Sequence, residues 1–216
     1  MDFIGAYSFD HLKFLLQGFG VTLLVAFIAI VLSFIIGGAI GTARYARIPV
    51  VSQILAVGVE TIRNLPLLLI IFFTYFALPE VGLKLPVTTA AIVALTIFES
   101  AMLSEIIRSG LNSIEKGQIE AARSSGLGYV QTIRYIVMPQ ALRRMVPPIV
   151  SQFISLLKDT SLAVVISLPE LTHNAQIIYG QKDGYVIPML VFLAFMYFAV
   201  NYLLSILAGK LELKKA

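Results

Sequence analysis

Long apolar runs alternate with shorter polar intervals along the chain. A helix needs about 20 mostly apolar residues to cross a bilayer, and five runs reach that length. They are residues 19–43, 54–78, 87–107, 149–168 and 187–208. The first and fifth runs carry no charge, whereas the second, third and fourth each contain charged residues. The pattern predicts an all-α integral membrane protein with five transmembrane helices, in which residues 1–216 form a single transmembrane domain.

The composition agrees with this picture, because 58% of the residues are hydrophobic, 13% are charged and the mean hydropathy is +0.90. The absence of cysteine excludes disulfides and thiolate metal sites. Two distant histidines, His11 and His173, do not suggest a metal site. A net charge of +4 is compatible with nucleic-acid binding, but the basic residues lie between apolar runs, where membrane topology explains them better. We therefore expect contact with lipid and none with nucleic acid.

The distribution of basic residues predicts the orientation, because arginine and lysine in short loops mark the cytoplasmic side. The first interval carries Arg44 and Arg47. The interval 108–148 and the C-terminal tail carry most of the others: Arg108, Lys116, Arg123, Arg134, Arg143, Arg144, Lys210, Lys214 and Lys215. With five spans, all these intervals fall on one side if the N-terminus is outside and the C-terminus is inside. Acidic residues precede the first apolar run, so we expect a retained helix rather than a cleaved signal peptide.

The polar interval 110–147 is rich in helix formers and too long for a turn. The sequence predicts a short helix that begins within residues 113–116 and ends at Gly126 and Gly128. A second amphipathic helix over residues 129–138 is expected to stop before Pro139, because proline disfavours helix at the preceding residue. Such a pair would contact either another protein or lipid headgroups, and the residues alone leave both alternatives open.

Four motifs in this chain follow a known order. The first has the spacing Glu-Ala-Ala, three residues, Gly, nine residues, Ile, one residue, Leu-Pro: Glu120, Ala121, Ala122, Gly126, Ile136 and Pro139, with Met138 replacing the leucine. The others are ETIRNLPLLL at 60–69, SEIIRSG at 104–110 and LLKDTSLAVVISLPEL at 156–171. The chain resembles the permease subunits of bacterial ATP-binding-cassette importers, and in particular the branch that takes up polar amino acids.

This resemblance implies a role and a set of partners. Glu120, Ala121, Ala122 and Gly126 would form a cytoplasmic coupling helix that docks on a separate ATPase subunit. The chain has no phosphate-binding GxxxxGK[ST] loop, so ATP would be bound by that partner and the permease itself would need no cofactor. The resemblance also implies a second permease subunit, the same or similar, an extracytoplasmic substrate-binding protein, and a place in the bacterial cytoplasmic membrane.

Charged residues near mid-membrane depth indicate a candidate site. Ionisable groups in hydrocarbon are costly and usually face a cavity or a partner. At 1.5 Å per helical residue, Arg63, Glu99 and Asp159 lie roughly 12–15 Å from the inner edge of their spans. Transporter sites are expected at this level. An alternative is structural, in which Arg63 pairs with Asp159 or Glu99 and joins the spans.

The candidate substrate-binding residues are Arg63, Asn64, Gln152, Ser155 and Asp159. Arg63 and Asn64 stand beside a helix weak point at Pro66, and the other three share one helix face by their spacing. A neutral Gln152 favours an uncharged polar substrate such as glutamine, while glutamate and cystine stay open. The resemblance places smaller or polar residues where this chain has Leu65 and Ile70, so we expect a more apolar pocket than is typical.

Two other functions compete with transport. Lys158 and Ser161, three apart on one helix, could form the Ser–Lys dyad of an intramembrane hydrolase, although no glycine cluster for an oxyanion hole is visible. A channel or structural membrane protein is the third alternative, but it leaves the helical interval at 110–147 without a role.

Overall fold

The computed structural model describes residues 1–213, and every regular element in that range is helical. The longer helices are α2 (Phe9–Tyr45), α3 (Val51–Asn64), α5 (Val87–Asn112), α8 (Met138–Asp159) and α10 (Val186–Leu213). The shorter ones are α1 (Phe3–Ala6), α4 (Leu67–Phe72), α6 (Lys116–Ser124), α7 (Tyr129–Thr132) and α9 (Leu171–Tyr179). The predicted all-α class is confirmed. The tail residues Lys214 and Lys215, used above for the orientation, lie outside the described residues.

Four helical segments are long and apolar enough to cross a membrane, and the bent pair of α3 and α4 makes a fifth. The four are Phe9–Tyr45, Val87–Asn112, Tyr129–Ile166 and Asp183–Ile206. The third includes α7 and α8, joined by a π-helical turn at Ile133–Val137 and extended by a 3₁₀ helix at Thr160–Ile166. The expected number of spans is therefore reached only when the bent pair is counted as one.

The second span is broken rather than continuous, so the prediction of one helix over 54–78 is wrong. Its two halves meet at an angle of 104°. Leu65 and Pro66 have extended backbone, with ψ of 142° and 132°. Proline has no N–H to continue the helix and disfavours helical backbone at the residue before it. The weak point at Pro66 is thus a sharp corner, which ends α3 at Asn64.

The glycine Gly126 terminates α6, as the sequence predicts, although the last helical residue is Ser124. Gly126 adopts a left-handed φ of +88°, which glycine accepts without steric cost. The N–H of Leu127 donates to the Ala122 carbonyl at 3.2 Å, and the N–H of Gly126 donates to the Arg123 carbonyl at 3.1 Å, the bonds of a Schellman motif. Gly128 does not end α6 but begins α7, where its carbonyl accepts from the Thr132 N–H at 2.9 Å.

Pro139 does not stop the helix, which contradicts the expected boundary before it. Met138 is helical, and α8 continues through Pro139, Pro147 and Pro148 to Asp159. The wider π turn at Ile133–Val137 ends two residues before Pro139. This turn makes room for the proline ring and replaces the helical hydrogen bond that proline cannot donate. Span four therefore begins well before the predicted residue 149.

Helices α2 and α5 make the most extensive contact in the bundle, and it includes close approaches between their backbones. A Cβ added at Gly37 would lie 2.8 Å from the Ser100 carbonyl oxygen, and one at Gly41 would lie 2.6 Å from that of Ser104. Small residues four apart let two membrane helices approach backbone to backbone. Helix α5 also packs against α3, α4 and α8, so it is the central helix of the bundle.

Glu170 ties together three helices at the opposite end of the bundle from Glu105. Its buried carboxylate accepts from the backbone N–H groups of Thr172 at 2.9 Å and His173 at 2.8 Å, and from the Tyr197 hydroxyl at 3.1 Å. The Thr22 hydroxyl of α2 lies 3.4 Å away. Burial raises the pKa of Glu170, although these donors oppose the shift. The carboxylate therefore caps α9, a helix that the sequence analysis did not predict.

The α2–α5 contact predicts that alanine destabilises the protein at Gly37 but not at the neighbouring Gly38, which serves as the control. Gly37→Ala should destabilise the protein by about 1–3 kcal/mol, because overpacking forces backbone to shift. Gly38→Ala meets nothing within 4 Å and should be neutral or stabilise the helix by up to about 1 kcal/mol. Thermal unfolding in detergent measures both. Equal unfolding temperatures for the two variants would contradict the proposed contact.

Candidate functional site

A buried carboxylate and an amide meet between α5 and α8. Glu99 of α5 is fully buried, and Gln152 of α8 donates from Nε2 to its Oε2 at 3.1 Å. The other oxygen, Oε1, is buried and has no hydrogen-bond partner among the groups that the structure describes. Because a buried polar atom is costly to leave unpaired, this oxygen is the clearest candidate for contact with a ligand.

The predicted face of α8 is present beside this pair. Gln152, Ser155 and Asp159 are all half-buried, and their spacing puts them on one side of the helix. Asp159 is the last residue of α8, where the chain tightens into the 3₁₀ helix. Lys158 is exposed. The face thus offers an amide, a hydroxyl and a carboxylate in succession toward the end of the helix.

Arg63 and Asn64 lie at the corner of the broken span. Arg63 Nη1 contacts Glu60 Oε1 at 3.2 Å, and Asn64 Nδ2 donates to the Glu60 carbonyl at 2.7 Å. The alternative in which Arg63 pairs with Asp159 or Glu99 is therefore wrong. Arg63 Nε is buried without a partner in the described part of the chain, so the guanidinium keeps a buried donor unused.

The five predicted residues form two groups. Gln152, Ser155 and Asp159 share α8, whereas Arg63 and Asn64 share the end of α3, and no hydrogen bond between described residues joins the two groups. Sequence reasoning noted Glu99 only as a charge at the right depth, although it completes the α8 group. The signal available was local, because Thr96, Glu99 and Ser100 interrupt an apolar span, and all three are buried.

The two apolar substitutions in span two have different surroundings. Ile70 is 6% exposed and belongs to the hydrophobic core, so it does not line the site. Leu65 packs against that core while half-buried. The expected apolar character of the pocket therefore rests on Leu65 alone.

A group of ion pairs marks the other end of α5. Glu105 pairs with Arg108 on its own helix and with Arg44 of α2, the latter at 2.9 Å. The Arg44 side chain is only 8% exposed. The three-residue spacing of Glu105 and Arg108 favours an ion pair on one helix face, and the second bond of Glu105, to Arg44, joins α2 to α5.

The segment that carries Glu120 has an exposed face and a packed face. Glu120, Ala121 and Gly126 are exposed, whereas Ala122 is buried at 7% exposure. Ile119 packs against the cluster of Leu111 and Ile114. Nothing lies within 4 Å of a Cβ added at Gly126. A partner could therefore approach Glu120, Ala121 and the Gly126 corner, but not Ala122.

Comparison with known proteins identifies this arrangement. Residues 29–215 match the family model described as "Binding-protein-dependent transport system inner membrane component". The chain belongs to this family. It is 74% identical, over all of both chains, to the probable glutamine ABC transporter permease protein GlnP of Bacillus subtilis. It is 34% identical to the glutamate/aspartate import permease protein GltK of Escherichia coli, over 97% of this chain and all of the other.

A solved structure supports the same assignment. The crystal structure of an amino acid ABC transporter with histidines has a chain that superposes with a TM-score of 0.89 at 31% identity, covering 95% of each chain. The protein is thus a permease subunit of an ATP-binding-cassette transporter and a component of the inner membrane. ATP hydrolysis belongs to a separate subunit, and membership implies another permease subunit beside this one.

The hydrolase alternative is excluded, because the family and these relatives are transport subunits rather than enzymes. The local geometry agrees with that conclusion. The Ser161 hydroxyl donates to the backbone carbonyl of Lys158 at 2.7 Å rather than to the lysine amine, which cannot accept when protonated.

Proposed function

We propose that this permease, together with its second permease subunit, imports an uncharged polar amino acid, most simply glutamine, through a site next to Glu99 and Gln152. The observation that carries the proposal is the unpartnered Oε1 of Glu99 beside the Gln152 amide. The high identity to the probable glutamine permease of Bacillus subtilis supports the substrate class. Residues 1–216 would act as one transmembrane domain.

The site offers groups of the right chemistry for a zwitterion. An α-ammonium needs acceptors, and Glu99 and Asp159 would supply them. An α-carboxylate needs donors, and the unused Nε of Arg63 and the Asn64 amide, where the span breaks, would supply those. Gln152 and Ser155 can both donate and accept, which suits the carboxamide of glutamine. The two groups of residues would meet through the substrate rather than through direct contact.

We further propose that α6 is the contact for the ATPase. Glu120 and Ala121 present a polar, small-residue surface, and the Gly126 corner has open space around it. Packing of Ile119 against the cluster that includes Leu111 of α5 and Ala141 of α8 would transmit a displacement of α6 to α5 and α8. ATP would bind and react only on the partner, and an extracytoplasmic binding protein would deliver the substrate.

The orientation that fits these roles has the N-terminus outside and the C-terminus inside. Arg44, Arg47 and the basic residues near α6 would then all face the cytoplasm, as the positive-inside rule requires. Glu170 and α9 would lie on the outer side. The outer end would also hold the ion pair of Asp2 with Lys182 at 2.8 Å, in which the hydrogen bond from Lys182 lowers the pKa of Asp2.

The site proposal predicts a specific loss of glutamine transport. Gln152→Glu would place a second carboxylate beside Glu99, and Asp159→Asn would remove an acceptor for the ammonium. Each should reduce uptake of glutamine into proteoliposomes at least about tenfold, the value of one lost charged hydrogen bond. Gln53→Glu makes the same change at an exposed position of α3 and should transport normally. If both site variants assemble normally and transport glutamine with the affinity and rate of the native protein, these residues do not form the binding site.

The proposals on α6 and on orientation share a second experiment in this cysteine-free chain. An impermeant thiol reagent should label Ile4→Cys in intact protoplasts, but should label Glu120→Cys and Arg143→Cys only in inverted vesicles. Binding of the ATPase should then protect Glu120→Cys and leave Arg143→Cys, which is exposed on α8, accessible. Labelling of Glu120→Cys in protoplasts would reverse the topology. If Glu120→Cys is labelled equally with and without the ATPase, α6 does not contact the ATPase.

A further inference from the structure

A groove separates the end of α2 from the start of α6. Its volume is about 350 Å³. One wall is the C-terminal end of α2, with Tyr45 and Arg47, and the other is the segment from Leu111 to Lys116, closed by Tyr129 of α7. Both spans end here, so the groove lies where the bundle leaves the hydrocarbon.

The rim of the groove is cationic. Arg47 and Lys116 are both exposed, and neither forms an ion pair with any side chain that the structure describes. None of the residues that line the groove is acidic. Arg47 has a left-handed φ of 51°, which is unfavourable for a residue with a side chain. Strained backbone conformations cluster at functional sites. Arg47, whose guanidinium lies at the edge of the groove, is therefore a candidate binding residue.

The floor of the groove is apolar. Leu111 and Ile114 are 2% and 5% exposed. Two further apolar residues, Ala46 and Ile119, also line the groove. Two tyrosines, Tyr45 and Tyr129, flank this floor, and tyrosine is enriched at membrane–water interfaces. The groove thus combines two cations, two phenol groups and an apolar base at one level of the membrane.

We propose that this groove binds the headgroup of an anionic phospholipid. The phosphate would accept from Arg47 and Lys116, and the glycerol and upper acyl chains would cover the apolar floor. Basic pockets between membrane helices on the cytoplasmic side bind lipids of this class. A free phosphate would satisfy the same two cations but would leave the apolar floor uncovered, so the lining favours the lipid.

The bound lipid would link two elements that matter for transport. Arg47 follows α2, the span held against α5 by Gly37 and Gly41, whereas Lys116 is the first residue of α6. A lipid that contacts both residues would hold the base of α6 at a constant depth. This part of the inference rests on the proposed role of α6, but the lipid site itself does not.

The sequence contains no tryptophan, so Tyr129→Trp places the one tryptophan of this chain at the groove, and its signal is the fluorescence gained over the transporter without the substitution. The assembled transporter would be reconstituted in nanodiscs with equal amounts of phosphatidylglycerol and phosphatidylcholine, with bromine on the acyl chains of one lipid or the other. Quenching of the added fluorescence by brominated phosphatidylglycerol should exceed quenching by brominated phosphatidylcholine. Each cation near the surface strengthens binding of anionic lipid about fivefold, so Arg47→Gln with Lys116→Gln should abolish the preference.

The control removes the same charge from exposed positions outside the groove, Arg134→Gln with Arg143→Gln, and should keep the preference. Equal quenching by the two lipids in the Tyr129→Trp protein with Arg47 and Lys116 intact would overturn the proposal and indicate that the ATPase or nothing covers the groove. A preference that survives the loss of Arg47 and Lys116 would also overturn it. Displacement of the lipid by millimolar inorganic phosphate would identify a free anion as the ligand instead. Because both leaflets of the nanodisc have one composition, the result does not depend on the orientation of the permease.

Discussion

The contact between α2 and α5 through glycine is the interaction on which the rest of the bundle depends. Inside a membrane, helices gain little by burying apolar side chains against each other, since lipid is equally apolar, and close packing has to supply the attraction. Gly37 and Gly41 permit that packing by facing the carbonyls of Ser100 and Ser104. With α5 held in this way, α3, α4 and α8 pack around it, and Glu99 is held at a defined place in the bundle.

Three carboxylates show how the protein treats charge at different levels of the bundle. Glu170 accepts from several donors at one end, and Glu105 is neutralised by two arginines at the other. Glu99, between them along the bundle, receives one donor, from Gln152, and keeps a buried oxygen free of partners among the described residues. A group that is satisfied by its surroundings supports the fold, whereas the incomplete carboxylate of Glu99 is the group to which we propose that the substrate binds.

Much of the fold follows local rules that a sequence displays. The apolar runs predict the spans, Gly126 predicts the end of α6, and the three-residue spacing of Glu105 and Arg108 predicts their ion pair. The same spacing joins Glu60 to Arg63, although the mid-membrane depth of Arg63 favoured a more distant partner. Helix α9 was not predicted, because its N-cap is Glu170, a residue type outside the usual N-cap set, and the Thr22 and Tyr197 hydroxyls that hold this carboxylate come from α2 and α10.

Proline shows where local rules fail. Pro66 and Pro139 have the same preference against helix, yet one produces a sharp corner and the other lies within a continuous helix. The difference is the π turn before Pro139, which accommodates the ring, and no local pattern in the sequence predicts such a turn. For the site, depth and spacing identified the α8 residues, but the partner of Gln152 on α5 required the packing of two helices.

The central claim is that an amino acid binds at the free oxygen of Glu99. The most direct measurement is a pair of cryo-electron microscopy structures of the assembled transporter, with and without glutamine. The account predicts added density between α5 and α8, with a ligand nitrogen about 3 Å from Glu99 Oε1 and a second contact to Gln152. Ligand density elsewhere in the pathway, with the Glu99–Gln152 pair unchanged, would contradict it.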